Sequence, residues 1–468
     1  MRDCDAATGS SVGSVIGRGP GRKPLLPFGS RLGCISFETP AQPARLTTVV
    51  LIRGVQSDMR LELRIDEVSV LTQVSDLDEL AATPFSCFME IAPHRQGSIA
   101  ELFPLASSHH AGQMPAPSWW SDAAITIRAQ HLFKVRDAVF FPRWGVVVTA
   151  AGEVMRLTME EAAYASPDLS ALPGVSPTSD GLSLHVPAGA ERLPRAAAAL
   201  PFGAMANYGH FLLDGVTGAA SLRDAGALAR FPLLGPPLKP WQRRHLELLG
   251  VGFAETAAEV VRVDEIVYTS CMHHFLHTPN AVYGRVRDAQ LARAAAASAV
   301  GPRLIYISRG KANARVMAGE AALCRRLAEM GFAVVDPSAM GIDEQIALFH
   351  GARAVVGSAG AALANALYCR PAAAVVEIQP EGMENHWVQH LCVVNGLHSA
   401  TWFCPAVPLD PRHPERGLRH RLDGDAFLVF VGDVLARAGI GVETSRPSLM
   451  RRLLDRALGT VASDDRPR

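Results

Sequence analysis

Between residues 303 and 380, short apolar runs alternate with helical patterns, and this alternation limits the fold more than any other feature of the chain. The run Leu304, Ile305, Tyr306, Ile307 predicts a strand, and further strands are expected over 332–335, 354–356 and 374–378. Helices are expected between them. Leu323, Leu327 and Met330 recur at i, i+4 and i+7 within residues 318–330, and Ile342, Ile346 and Phe349 do the same within 342–350. A third helical run, 361–369, is stopped by Pro371. Short, wholly apolar strands between amphipathic helices imply a parallel sheet covered on both faces, so the fold class is α/β. Such sheets gather ligands at the carboxyl ends of their strands.

Those strand ends carry cationic and flexible residues. After strand 304–307 come Ser308, Arg309, Gly310, Lys311 and then Arg315. Arginine grips phosphate with two parallel N–H groups and lysine adds a point charge, so the cluster suits a diphosphate. Salt bridging at the surface is the competing reading. After strand 354–356, Gly357, Ser358, Ala359 and Gly360 deliver the chain into the start of the next helical run, where free amides suit phosphate or carboxylate. Close packing would need the same glycines. Two known motifs do not fit: the first strand–turn–helix lacks G-x-G-x-x-G, which argues against a nicotinamide-dependent oxidoreductase, and Val356 stands where a nucleophile elbow needs glycine. Glu377, near the end of strand 374–378, could bind a ribose or be a plain strand-end carboxylate.

With 468 residues the chain suggests several domains. Its 45 basic and 45 acidic side chains cancel, so no global field draws it to nucleic acid. The eight cysteines form no C-x-x-C pair and read as reduced thiols of a cytoplasmic protein. No apolar run reaches the roughly 18 residues of a membrane span, which leaves peripheral membrane association open. Residues 1–45, rich in Gly, Pro and Arg, are expected to be disordered. Residues 46–175 form a β-rich region, in which 93–122 read as loop and Pro142 to Gly145 as a hairpin turn. A Pro- and Gly-containing linker, 166–181, leads to a mixed region, 176–300, with helices over 207–229, 241–249 and 288–300 and a strand over 260–268. Residues 301–410 hold the regular alternation, with a helix over 385–395 and a strand over 400–403, and 411–468 carry helices over 427–438 and 449–458.

A general base is expected upstream of the anion cluster. Asn207, His210 and Asp214 fall within roughly a 60° arc of one helix face. A carboxylate one turn from a histidine orients the ring and stabilises the imidazolium. A capping asparagine and a core histidine would give the same pattern. Cys271, His273, His274 and His277 match no standard zinc spacing, and no metal site is expected. Asp76 with Asp78 and Asp423 with Asp425 have the D-x-D form, but outside the regular α/β region they read as a helix start and a turn.

Taken in order, these segments resemble glycosyltransferase family 61: Asn207, Tyr208, Gly209, His210 and Asp214; then Ile305 to Arg309 with Arg315 and Glu320; then Glu344, Gln345, Leu348 and Phe349; then Gly357, Gly360, Ala361, Leu363 and Asn365; then Val376, Glu377 and Ile378. The resemblance covers about residues 125–400. It implies a GT-B architecture, two Rossmann-like domains facing a cleft, with 176–300 on the acceptor side and 301–410 on the donor side. It also implies inverting transfer of a sugar from a nucleotide-sugar donor to a glycan or polysaccharide acceptor, with no metal or other cofactor. Relatives in that family serve surface polysaccharide synthesis or modify xylan and glycoproteins. On this resemblance the catalytic residues are His210, Asp214 and Asn207, and the donor-binding residues are Ser308, Arg309, Lys311, Arg315, Gln345, Ser358, Gly360, Asn365 and Glu377. One departure stands out: many members carry His-Gly-Ala-Gly where this chain has Ala359, Gly360, Ala361 and Ala362. The alternative is therefore a degenerate nucleotide-sugar or glycan-binding protein.

Overall fold

A computed structural model of the chain describes residues 58–66, 71–102, 107–118, 120, 124–158, 168–272, 280–294, 302–309, 315–412 and 417–441. The expectations for 1–45, for the helix 449–458, for Lys311 and for His273, His274 and His277 lie outside these residues. Residues 54–468 form one compact unit of mixed α/β structure.

The alternation after residue 303 folds as a six-stranded, all-parallel sheet in the order Ala333–Val335, Leu304–Ile307, Ala354–Ser358, Ala374–Pro380, His398–Cys404, Ser107–Gly112. Strand alternation sorts its side chains to two covers. Tyr306, Val356 and Val376 pack with Leu323 and Leu327 of the helix Glu320–Glu329 and with Phe427 and Val431 of the helix Gly424–Arg437. Ile305, Val355 and Val375 face the other way, against Ile346 and Phe349 of the helix Ile342–Gly351 and Leu363 and Leu367 of the segment Ala361–Tyr368. Burying each such side chain is worth about 1.5–3 kcal/mol, so both covers contribute heavily to stability.

Four expectations change. Ser107–Gly112, inside the expected loop 93–122, is the edge strand beside His398–Cys404. Its sequence, Ser107, Ser108, His109, His110, Ala111 and Gly112, has no apolar alternation, because an edge position requires little burial. The helical run 361–369 is a 3-10 helix, Ala361–Tyr368, buried from Leu363 onward, and of the expected helix 288–300 the start belongs to the helix Tyr283–Leu291, while 295–300 lie outside the described residues. The boundary between 46–175 and 176–300 crosses a single sheet. Strands Met59–Asp66, Gln130–Phe141, Val146–Val148, Glu191–Ala198 and Val261–Thr269 belong to one ten-stranded sheet, where Gln130–Phe141 and Val261–Thr269 pair antiparallel along their length. The hairpin turn at Pro142 to Gly145 is present, with Gly145 at φ 68°. Asp76 and Asp423 are both helix N-caps.

A continuous core joins the sheets. It runs from Leu132, Ala197 and Val267 of the large sheet through Phe211, Leu212 and Val216 to Ile305 and Val355 of the parallel one. Across it, Arg244 of the helix Pro240–Leu249 grips Asp343 with two hydrogen bonds of 2.7 and 2.9 Å. These contacts seat the His210 segment against the ends of the parallel strands.

Candidate active site

Asn207 is the N-cap of the segment that carries the expected base. Its Oδ1 accepts from the backbone N–H of Gly209 at 2.8 Å and of His210 at 3.4 Å, which starts the helix Tyr208–His210. The chain then widens into a π-helical stretch, Phe211–Val216. Such stretches cost backbone geometry and recur at functional positions. His210, at the N-cap of this stretch, places Nδ1 3.0 Å from Oδ2 of Asp214 inside it, with both side chains almost fully buried. The pairing expected from the i, i+4 spacing is therefore present.

The segment docks on the Gly360 turn. A Cβ at Gly209 would lie 3.5 Å from the Ala361 Cα, ordinary van der Waals contact, so the two backbones pass close to one another. A Cβ at Gly360 would collide with the Arg309 guanidinium. Arg309 is held in that place by its own bonds: Nε donates to the Arg315 carbonyl at 3.0 Å, Nη1 to the Ala359 carbonyl at 3.5 Å, and its backbone N–H to Glu320 Oε1 at 2.6 Å. Burial, followed by the nearby Arg315 charge, pushes Arg309 down to about 10, so it stays cationic at neutral pH. His210, Gly360, Arg309 and Arg315 thus share one locality, although about 100 to 150 residues separate the first from the rest.

The other expected donor residues divide into two groups. Ser358 ends its strand in the same locality, with its Oγ 3.2 Å from His420 Nε2. Ser308 sits half-buried after Leu304–Ile307 and donates its N–H to the Val335 carbonyl at 2.9 Å. Gln345 and Asn365 are instead tied into a buried relay: Tyr208 Oη donates to Asn365 Oδ1 at 2.6 Å, Asn365 Nδ2 to Gln345 Oε1 at 2.9 Å, and Gln345 Nε2 to the Met340 carbonyl at 3.1 Å. These amides fasten the His210 helix to the parallel half. Tyr208→Phe removes the first link and should cost about 1–2 kcal/mol of unfolding free energy. Denaturant melts check this, and an unchanged midpoint would show that the relay carries no stability.

Glu377 is fully buried; Oε2 accepts from Gln379 Nε2 at 2.7 Å, and Oε1 has no hydrogen-bond partner. Burial raises the acid to about 8 from 4.5, against the lowering influence of Gln379 and Arg315. At neutral pH it is mostly a carboxylic acid. A raised folded-state value means that its stabilising contribution is complete below 4.5 and is lost as pH climbs through about 8. Glu377→Gln should therefore raise the melting temperature relative to the parent at about pH 8, with the difference shrinking toward acid pH. A difference that stays constant across the titration would disprove the buried-acid reading.

Sequence reasoning missed two histidines here. His245, enclosed by Trp241, Tyr208 and Phe211, is held neutral by burial at about 3 and meets Gln290 and Tyr368 through Nδ1. His420, beside Ser358, comes from the strand Leu418–Arg421. A surface groove lined by Leu228, Leu233 and Phe253 contains none of the site residues.

Among the described residues no helix is long and apolar enough to cross a membrane. No curated protein matches the chain. The model of the family described as glycosyltransferase 61 matches residues 208–376, a segment that opens on the Tyr208–His210 helix and takes in Arg309, Arg315, Gln345, Ser358, Gly360 and Asn365. Over residues 208–376 the chain is thus similar to the glycosyltransferase 61 family.

Proposed function

We propose that the chain is an inverting glycosyltransferase that moves a sugar from a nucleotide-sugar donor to a hydroxyl of a glycan or polysaccharide acceptor. The approach of Gly209 to Ala361 carries this reading, because it brings a histidine–carboxylate pair next to a turn lined by a guanidinium. Single-displacement transfer needs those two elements. With Asp214 accepting from Nδ1–H, Nε2 of His210 takes the proton of the acceptor hydroxyl as that oxygen attacks the anomeric carbon. The departing diphosphate lies along the Gly360 turn against Arg309 and Arg315, with Ser308 at the same strand end, and its growing charge is met by fixed cations. No metal is required in this scheme, since guanidinium groups take the Lewis-acid role.

In GT-B terms, the parallel sheet is the donor half, residues 301–410. The helices of residues 176–300, backed by the large sheet, are the acceptor half. The buried Glu377 acid sits midway along the central strand Ala374–Pro380, in register with Gly357. Nucleotide release from a panel of donor sugars, with and without acceptors, tests the proposal. Release should persist in EDTA, and a complete loss on chelation would overturn the metal-free scheme. Donor-dependent thermal stabilisation with no release on any acceptor would assign a binding protein instead.

A further inference from the structure

His420 lies outside the matched segment, in a strand that runs parallel to Arg315–Ala318 with His420 in register with Met317. Alternation along Leu418–Arg421 leaves Arg419 and Arg421 in water and turns His420 inward, where it is 1% exposed. Its Nε2 meets Ser358 Oγ at 3.2 Å, and its buried Nδ1 has no hydrogen-bond partner. The charges around it are the Arg309 and Arg315 cations, with Glu320 facing Arg309 and the buried Glu377 facing Arg315. Burial and then the two arginines hold the ring at about 4, so it is neutral at physiological pH. A buried imidazole with an unused nitrogen beside two cations is costly unless an anion joins them.

We propose that His420 completes the anion site, binding the donor diphosphate together with Arg309, Arg315 and Ser358. The identity of the anion rests on the glycosyltransferase reading; the site itself rests on these four side chains. An anion between the guanidiniums reverses the local potential. The ring then gains a proton: Nε2–H donates to the Ser358 hydroxyl, and Nδ1–H becomes a charge-assisted donor. Because binding raises the affinity of the ring for that proton, anion affinity is highest in acid. It declines as pH rises through the ring's value in the complex.

The test is calorimetric titration of the whole chain with inorganic sulfate, whose charge stays fixed from about pH 5 to about pH 8, in two buffers of different ionisation heat. The parent should bind sulfate with proton uptake. His210→Ala should keep that uptake. His420→Gln should lose it and bind about tenfold more weakly, the usual scale for one charge-assisted bond. Uptake that survives His420→Gln overturns the proposal, as does sulfate binding with none in the parent, or no binding at all. If His420→Gln does not fold, His420→Asn replaces it, and the parent titration alone retains its power to refute. Nucleotide release on the same preparations separates the two readings. The expected sulfate behaviour without release from any donor supports the His420 site and sinks the transfer reading. Release that His420→Gln leaves unchanged, with no proton uptake, does the reverse.

Discussion

His210→Ala should lower the transfer rate by roughly a hundred- to ten-thousandfold while donor binding stays close to the parent value. The size follows from the role: without a base the acceptor hydroxyl attacks with its proton still attached, whereas the diphosphate contacts made by Arg309 and Arg315 are untouched. Asp214→Asn should fall between the parent and His210→Ala, because an amide can still orient the ring but no longer stabilises its charged form. Both residues are buried, His210 just before the π-helical stretch and Asp214 within it, so a melting curve must accompany the kinetics. If His210→Ala retains full nucleotide release and a parental melting temperature, the base lies elsewhere and the mechanism fails.

His210 and the arginines are brought together by packing that a local sequence pattern does not report. The strands Leu304–Ile307, Ala354–Ser358 and Ala374–Pro380 were readable because burial on both faces demands continuous apolar residues. The pairing of His210 with Asp214 was readable from helical spacing, although the π-helical widening that follows leaves no compositional mark. Ser107–Gly112 was not readable, since a polar edge strand looks like loop. Nor was His420, because Leu418, Arg419, His420 and Arg421 form a polar run whose inward member is selected only by the register with Arg315–Ala318. Gln345 and Asn365 were legible as notable amides, but whether they meet a ligand or each other depends on a contact with Tyr208, far away in sequence. The split between 46–175 and 176–300 followed a change of composition, while the large sheet crosses it, because strand pairing depends on backbone geometry.

Position 359 illustrates the same point from the side of chemistry. An alanine stands there, yet Ser358 next to it meets an imidazole in space, delivered by His420. Local residue identity is thus a poor guide to whether this turn can meet a diphosphate. The composition of the three-dimensional cluster decides it, and in that cluster Arg309 donates to the Ala359 carbonyl and lies against Gly360.

Arg309→Ala should accordingly reduce turnover by about a hundred- to a thousandfold, the scale expected when a fixed donor to a developing anion is lost. The loss should fall mainly on kcat, since the leaving group's charge grows as the glycosidic bond breaks and the guanidinium is worth more then than in the ground state. Arg309→Lys separates charge from shape. A lysine keeps the cation, but it cannot donate to the Ala359 and Arg315 carbonyls while facing a phosphate with a planar fork, so it should recover only part of the rate. Gly360→Ala makes an independent check on the same geometry. Its new methyl would occupy the place of the Arg309 guanidinium, so it should act like a displaced arginine while leaving the net charge unchanged. If Gly360→Ala is inert while Arg309→Ala is severe, the arginine acts through some position other than the turn. If both lower kcat and spare the melting temperature, the approach of Arg309 to Gly360 is part of how the leaving group is held.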